Sequence, residues 1–399
     1  MKAEITKWYM DADSPVNLMI DDLANVWVDS NNNGKPDLGE DRGHLTHGEN
    51  SSYKYLMENL VRYFPYIKIT FFVPVNKKPL IENSGLKTHY GPINENNEIS
   101  SFFKKVHLQE NCELAYHGYT HGIGSNGERK YVQEWLSYKD LNEALETIKK
   151  GRNLFYEVTG EYPLGGKYCG YASNGFSDES INKSGFFWWC RFYDREKTLI
   201  KGKRKFSPRY FGSKKVIDIP TTIAGNVFDV YFKSKIKTFI KVYFEKKLLL
   251  YENIFLSGYK QLYRLLRNKH VISIQEHISP SRTDGKRQLL NIFDDMESLK
   301  KIFDYLSDKN VWYATCTQIA QYYEIYANSS LEIMNETLNF TFNGRKFCEI
   351  EATILFSRIK KSFVLISQNG KKYHPVKVVA NSCLFNLPLE TSKYRIIYE

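Results

Sequence analysis

From residue 16 to about residue 325, short apolar runs alternate with longer stretches of helical periodicity. This alternation constrains the fold most, because strands separated by helices pair in parallel and need helices packed on the sheet. Val16–Ile20, Ile67–Val73, Cys112–Tyr116, Leu164–Lys167, Phe186–Arg191, Val216–Pro220, Val271–Gln275 and Val311–Thr315 read as strands. Residues 52–64, 138–158 and 289–307 read as helices. Roughly eight strands with chemistry-bearing residues at their C-terminal ends predict a barrel. After Tyr326 the pattern changes to short alternating strands, Thr337–Phe342, Phe347–Ile354, Ser362–Ile366, Val376–Val379 and Tyr394–Tyr398, with turns at Asn343-Gly344 and Asn369-Gly370. The expected class is α/β, a distorted (β/α)7-8 barrel over residues 1–327 with a small antiparallel β-sandwich over residues 328–399.

The 399 residues carry a net charge of +11 and 25% charged residues, against 42% hydrophobic, so a large core is affordable and disorder is excluded as the main state. No apolar run reaches the ~20 residues of a membrane span. Residues 1–11 lack the basic and apolar regions of a secretory signal. The six cysteines form no CxxC pair, so they read as reduced cytoplasmic thiols rather than a disulfide framework or cysteine zinc site. Basic residues gather at Lys201–Arg209 and in an amphipathic stretch from Lys233 to His270. No nucleic-acid motif accompanies them. A solvated outer face explains them most simply, and an anionic sugar carrier or anionic membrane surface comes second.

Three segments carry chemistry. Asp21 and Asp22 end the first apolar strand, where both carboxylates can reach one pocket. His117-Gly-Tyr-Thr-His121 follows the strand CELAY with a spacing that suits two imidazoles on one metal. The strand Val271-Ile-Ser-Ile-Gln-Glu-His277 puts Ser273, Gln275 and His277 on one side, and polar residues facing into a barrel mark a site. One Asp and two His make a three-ligand set with room for water on a divalent ion. Such an ion lowers the water's pKa and polarises a carbonyl. A neighbouring carboxylate takes the water proton and a separate His protonates the leaving amine. Taken singly, an HxxxH is most often a coincidence and an Asp-Asp a cap or turn. Three such segments, each after a strand and in one chain order, favour a metal-dependent hydrolase.

The same residues resemble the motifs of the polysaccharide deacetylases, the NodB-homology group of carbohydrate esterase family 4. Ile69-Thr-Phe-Phe-Val73 resembles that family's second strand, and Asn310-Val-Trp-Tyr-Ala-Thr315 with Gln318-Ile-Ala320 its last strand and helix. The resemblance spans residues 14–325 and, through Ile20-Asp-Asp-Leu-Ala-Asn-Val-Trp27, is nearest to a subgroup from bacterial O-antigen loci. It implies that Asp22, His117 and His121 hold a metal, usually zinc. It implies Asp21 as general base, His277 as general acid, and a backbone N–H with the metal at the oxyanion. The family's Thr-Phe-Asp-Asp-Gly reads Met19-Ile-Asp-Asp-Leu23 here, and its Arg-Pro-Pro-Tyr is replaced by Lys167-Tyr168-Cys169-Gly170. Lys167 can supply the arginine's charge beside the base but no bidentate fork; Arg191 or Arg282 are the other candidates, and Asp194 is a candidate to tune His277.

Residues Asp29-Ser-Asn31-Asn-Asn33-Gly34-Lys-Pro-Asp37-Leu-Gly-Glu40 fit a twelve-residue Ca2+ loop, although no helix precedes them, and a polar substrate-side turn fits slightly better. His44 and His47 read as loop or sugar-contacting histidines. Trp27, Tyr119, Trp135 and Tyr168 are expected at the substrate, and Trp188 and Trp189 divide between stacking and core. The expected activity is removal of an acetyl or formyl group from an amino sugar, free or nucleotide- or lipid-linked, in surface-polysaccharide assembly. Two rivals are a glycan-binding protein that has lost turnover and a different C–N hydrolase that opens amides or cyclic imides.

Overall fold

A computed structural model describes residues 1–78, 86–124, 131–192, 206–228, 257–282 and 286–398. Its central sheet runs Arg209–Phe211, Val216–Asp218, Trp188–Cys190, Gly165–Lys167, Cys112–Tyr116, Ile69–Val73, Ser14–Asp21, Ile272–His277 and Ile223–Ala224, with Val311–Tyr313 also paired to Ser14–Asp21. Every pairing is parallel except that of the edge strand Arg209–Phe211. Among the described residues the path does not close on itself. The expected barrel is therefore a curled, open sheet. The basic residues 201–205 and 229–256, and Asp194, lie outside the described residues. The stretch Ser257–Arg267 forms a helix, and no helix among the described residues is long and apolar enough to cross a membrane.

Both faces of the sheet are buried, as near-continuous apolar strands require. Val16, Leu18, Ile20, Ile69, Phe71 and Val73 share a core with the helices Asn97–His107, Leu141–Thr159 and Met296–Leu306. The alternate residues Met19, Phe72, Ala115, Trp188 and Ile217 pack in a second core, with the helix Cys316–Asn328. Trp188 and Trp189 are both fully buried, so neither stacks on a sugar.

Gly165, against Trp188, and Gly166, against Trp189, let these indoles in. A Cβ on Gly166 would stand 2.3 Å from the carbonyl oxygen of Tyr116 and 2.4 Å from the Trp189 ring. The nearer obstacle is backbone of the neighbouring strand and cannot rotate away. Gly166→Ala is expected to destabilise the protein by ~1–3 kcal/mol, the usual cost of an overpacked core, read as a lowered urea midpoint with unchanged slope.

The helix expected from 52 is α-helical over Ser52–Leu56 and widens to a π turn over Met57–Val61. The one expected from 289 starts at Met296. Its first turns are diverted because Leu290, at φ 58°, offers its carbonyl to His277, and Asn291 Oδ1 accepts the N–H groups of Phe293 and Asp294.

The C-terminal region holds two antiparallel sheets. One is Ser329–Met334, Thr337–Phe342, Ser392–Tyr398, Phe363–Ser367 and Lys372–Tyr373; the other is Lys2–Ile5, Ala352–Ser357, Ser382–Leu387 and Lys377–Val379. Phe356, Phe363 and Phe385 meet between them with ring centroids 5.1–5.4 Å apart. The first strand of the chain is thus built into the C-terminal region, in register Lys2 with Ser357.

Candidate active site

Strand register assembles the site. His277 pairs with Asp21, and Cys190 pairs with Lys167, so the C-terminal ends of non-adjacent segments lie side by side. In an extended strand neighbouring side chains point to opposite faces. Here Asp22 turns into the left-handed region at φ 71°, a conformation Asp tolerates better than most residues. The chain bends after Asp21, and both carboxylates are buried at the strand end.

Each carboxylate has its own cations. Lys167 Nζ donates to Asp21 Oδ1 at 2.8 Å and to Gln275 Oε1, which also accepts from Tyr171 Oη at 2.6 Å. Lys167 therefore holds the place beside Asp21 expected of an arginine. Arg191 does not: it pairs with Asp178 and faces Asp218. Asp22 Oδ2 accepts from Arg42 Nη1 at 2.6 Å, and its Oδ1 lies 2.8 Å from Lys77 Nζ and 3.2 Å from His121 Nε2. Burial works to raise the Asp22 carboxyl, but His121, Lys77 and Arg42 hold it well below the usual range. Burial lowers Lys77 to about 8 against the pull of Asp22.

His117 Nδ1 is hydrogen-bonded to Lys167 O at 3.0 Å, and its Nε2 is buried without a hydrogen-bond partner, 3.8 Å from Asp21 Oδ2. His121 Nδ1 contacts Tyr131 Oη at 2.6 Å. Burial lowers both imidazoles, well below the ordinary value for His121, and so favours the neutral ring against the opposing pull of the carboxylates. Neutral rings with one nitrogen anchored and the other directed inward are what a metal-binding histidine needs. The loop that carries them is tied by Glu134, whose carboxylate accepts the backbone N–H groups of Tyr119, Thr120 and His121 at 2.7–2.9 Å. Cys169 enters the same cluster: one donor atom each from His117, His121 and Cys169 lies within 4.8 Å of the others.

His277 sits across the strand pair from Asp21. Its Nδ1 is hydrogen-bonded to Leu290 O at 2.7 Å and its Nε2 lies 3.1 Å from Gln288 Nε2. Burial lowers its pKa against the opposing pull of Asp21 and Asp22.

Sequence reasoning missed Arg42, Lys77, Cys169 and Glu134. Arg42 and Glu134 had no readable signal, since each acts through a contact distant along the chain. Trp135 and Tyr168 were expected at the substrate, but both are buried in an aromatic cluster with Trp189, and Tyr168 Oη donates to Asp178 at 2.9 Å. Bulky apolar rings filled the core beneath the site rather than its mouth. Trp27 and Tyr119 are half-buried. His44 contacts Asn25 through Nδ1 and stacks on His89, and His47 packs on Tyr53 and Phe102.

The residues expected at Ca2+ do converge. Asp29 accepts from the N–H groups of Asn33 and Gly34, Asp37 from the amides of Asn31 and Asn33, and Glu40 from the N–H groups of Ser30 and Asp37. These bonds close the turn. The turn lines a cavity of about 320 Å³ with Arg282, Lys286 and Arg287. Ser281, on its wall, accepts from Arg42 Nη2 at 2.5 Å, which connects the cavity to Asp22.

Several solved structures resemble the chain at low similarity. A Mycobacterium smegmatis protein provisionally assigned as a polysaccharide deacetylase matches at 13% identity over 88% of this chain and 99% of its own, with a TM-score of 0.46. A family 4 acetyl xylan esterase from Clostridium thermocellum, solved with a cobalt ion, matches at 10% identity over 77% of this chain and 90% of its own, at 0.36. A 4-alpha-glucanotransferase from Thermococcus litoralis matches at 14% identity over 77% and 40%, at 0.42. No family model and no curated protein matches the chain. Likeness at these levels carries no argument, and the functional reading rests on the site's own geometry.

Proposed function

We propose that the chain is a carbohydrate deacylase of the polysaccharide-deacetylase type, hydrolysing an N-acyl group on an amino sugar with the help of a divalent ion. One observation carries this reading most: the Nε2 of His117 is buried and unpartnered, beside His121 and two carboxylates. Leaving a buried polar atom unpaired is costly, and a bound cation removes that cost. His117 and His121 supply the nitrogen pair; the third position lies between Asp22 and the sulfur of Cys169. When bound, the ion would act as a Lewis acid toward the acyl oxygen and the attacking water.

The chain's own groups divide the rest. Lys167 fixes the Asp21 carboxylate so that its Oδ2 is left to take the proton of water. Gln275 and Tyr171 fix Lys167. His277, oriented through Leu290, is the group that, once it has taken up a proton on Nε2 in place of the contact with Gln288, passes it to the leaving nitrogen. The cavity at Ser281, lined by Arg282, Lys286 and Arg287 together with Asp37 and Glu40 and with Arg287 paired to Asp294, is the place proposed for the rest of the substrate, such as a nucleotide- or lipid-linked sugar of surface-polysaccharide assembly.

The test is acetate or formate release from a panel of N-acylated amino sugars and their nucleotide-linked forms. Release that stops with a chelator and returns with Zn2+ or Co2+ is the expected result. No release across the panel, from protein shown to hold one equivalent of metal, overturns the reading. His277→Asn keeps a polar group but no proton to give, and is expected to lower kcat by roughly 10²-fold with little change in KM.

A further inference from the structure

We propose that Cys169 is the third protein ligand of the divalent ion, and that Asp22 serves as the counter-ion of Lys77 and Arg42. This rests on the metal-dependent reading above and assigns its ligand set. The donor atoms of His117, His121 and Cys169 gather within 4.8 Å of one another, all three residues being buried. Asp22 is paired with two cations: its Oδ2 accepts from Arg42 Nη1 at 2.6 Å, and its Oδ1, which makes no hydrogen bond, lies 2.8 Å from Lys77 Nζ and 3.2 Å from His121 Nε2. Neither cation is free to leave. Arg42 is 2% exposed and anchored on Ser281 O; Lys77 is 3% exposed, and its neighbours Asn76 and Lys78 donate to Tyr119 O and Thr120 O at 2.7 and 3.2 Å.

Sulfur with two imidazoles is a donor set that zinc and cobalt accept. Local geometry allows it. Cys169 lies two residues after Lys167, whose carbonyl orients His117, and its Sγ donates to His117 O at 3.0 Å.

The test loads the full-length protein with Co2+ and records the near-ultraviolet sulfur-to-cobalt charge-transfer band while titrating affinity. Wild type is expected to show the band at one equivalent. Cys169→Ser, which keeps the hydrogen bond to His117 O, should lose it and bind Co2+ at least roughly tenfold more weakly, the scale of a lost metal-site partner. Asp22→Asn should keep the band. Circular dichroism establishes that each variant is folded, and Cys169→Ala serves as a second sulfur-free variant. Co2+ binding without a sulfur band, lost in Asp22→Asn but kept in Cys169→Ser, overturns the proposal and leaves the deacylase reading standing. No Co2+ binding by wild type overturns both.

Discussion

Asp21→Asn is expected to lower kcat for N-acyl hydrolysis by roughly 10³–10⁴-fold, at the upper end of what a positioned proton acceptor contributes. The amide matches the carboxylate in shape but accepts no proton. The change also leaves Lys167 as a wholly buried ammonium facing Gln275 without its carboxylate. Removing one member of a buried pair costs ~3–5 kcal/mol, so thermal stability should fall together with activity. Steady-state kinetics on protein still folded at the assay temperature separates the two effects. A variant with near-wild-type kcat would remove Asp21 from the chemistry and leave it a purely structural partner of Lys167.

Lys167→Met should produce the second largest loss, roughly 10²-fold in kcat/KM, through a different route. Asp21 becomes a carboxylate that is 3% exposed and has lost its cation. Such a group is stabilised by taking up a proton, and a protonated acid cannot be the base. Unlike Asp21→Asn, this defect is relieved by raising the pH, so the pH–rate profile should shift upward rather than simply fall. Lys167→Arg keeps the charge, but the ammonium lies 4.5 and 4.9 Å from the ring centroids of Phe72 and Tyr171, where a guanidinium is crowded. It should recover stability more than rate. Equal, unshifted profiles for wild type and Lys167→Met would show that Lys167 does not govern Asp21.

Much of this was legible in the residues. Alternation located eight strands of the sheet that carries the site but not the short Ile223–Ala224 and Arg209–Phe211, and it placed Gln275 on the polar side of its strand, where it meets Lys167. Less legible were contacts whose members lie far apart in sequence. Arg42 reaches Asp22 across 20 residues and Ser281 across 239, and no local pattern encodes either approach. The aromatics expected around a sugar were misread for a related reason. Trp135 and Tyr168 are chemically suited to stacking on a ligand or filling a core, and only the close approach of Trp189 beside Gly166 decides for the core. The strand Lys2–Ile5 is too short to announce its partner, which lies some 350 residues later.

The sequence by itself determined the order of strands and helices and the residue types at the strand ends, because periodicity and composition are local properties. Tertiary structure alone decided how the buried charges are shared. Coulomb interactions depend on distances through the fold, not along the chain. Those distances put Lys167 on Asp21, Arg42 and Lys77 on Asp22, and the sulfur of Cys169 beside the two histidines.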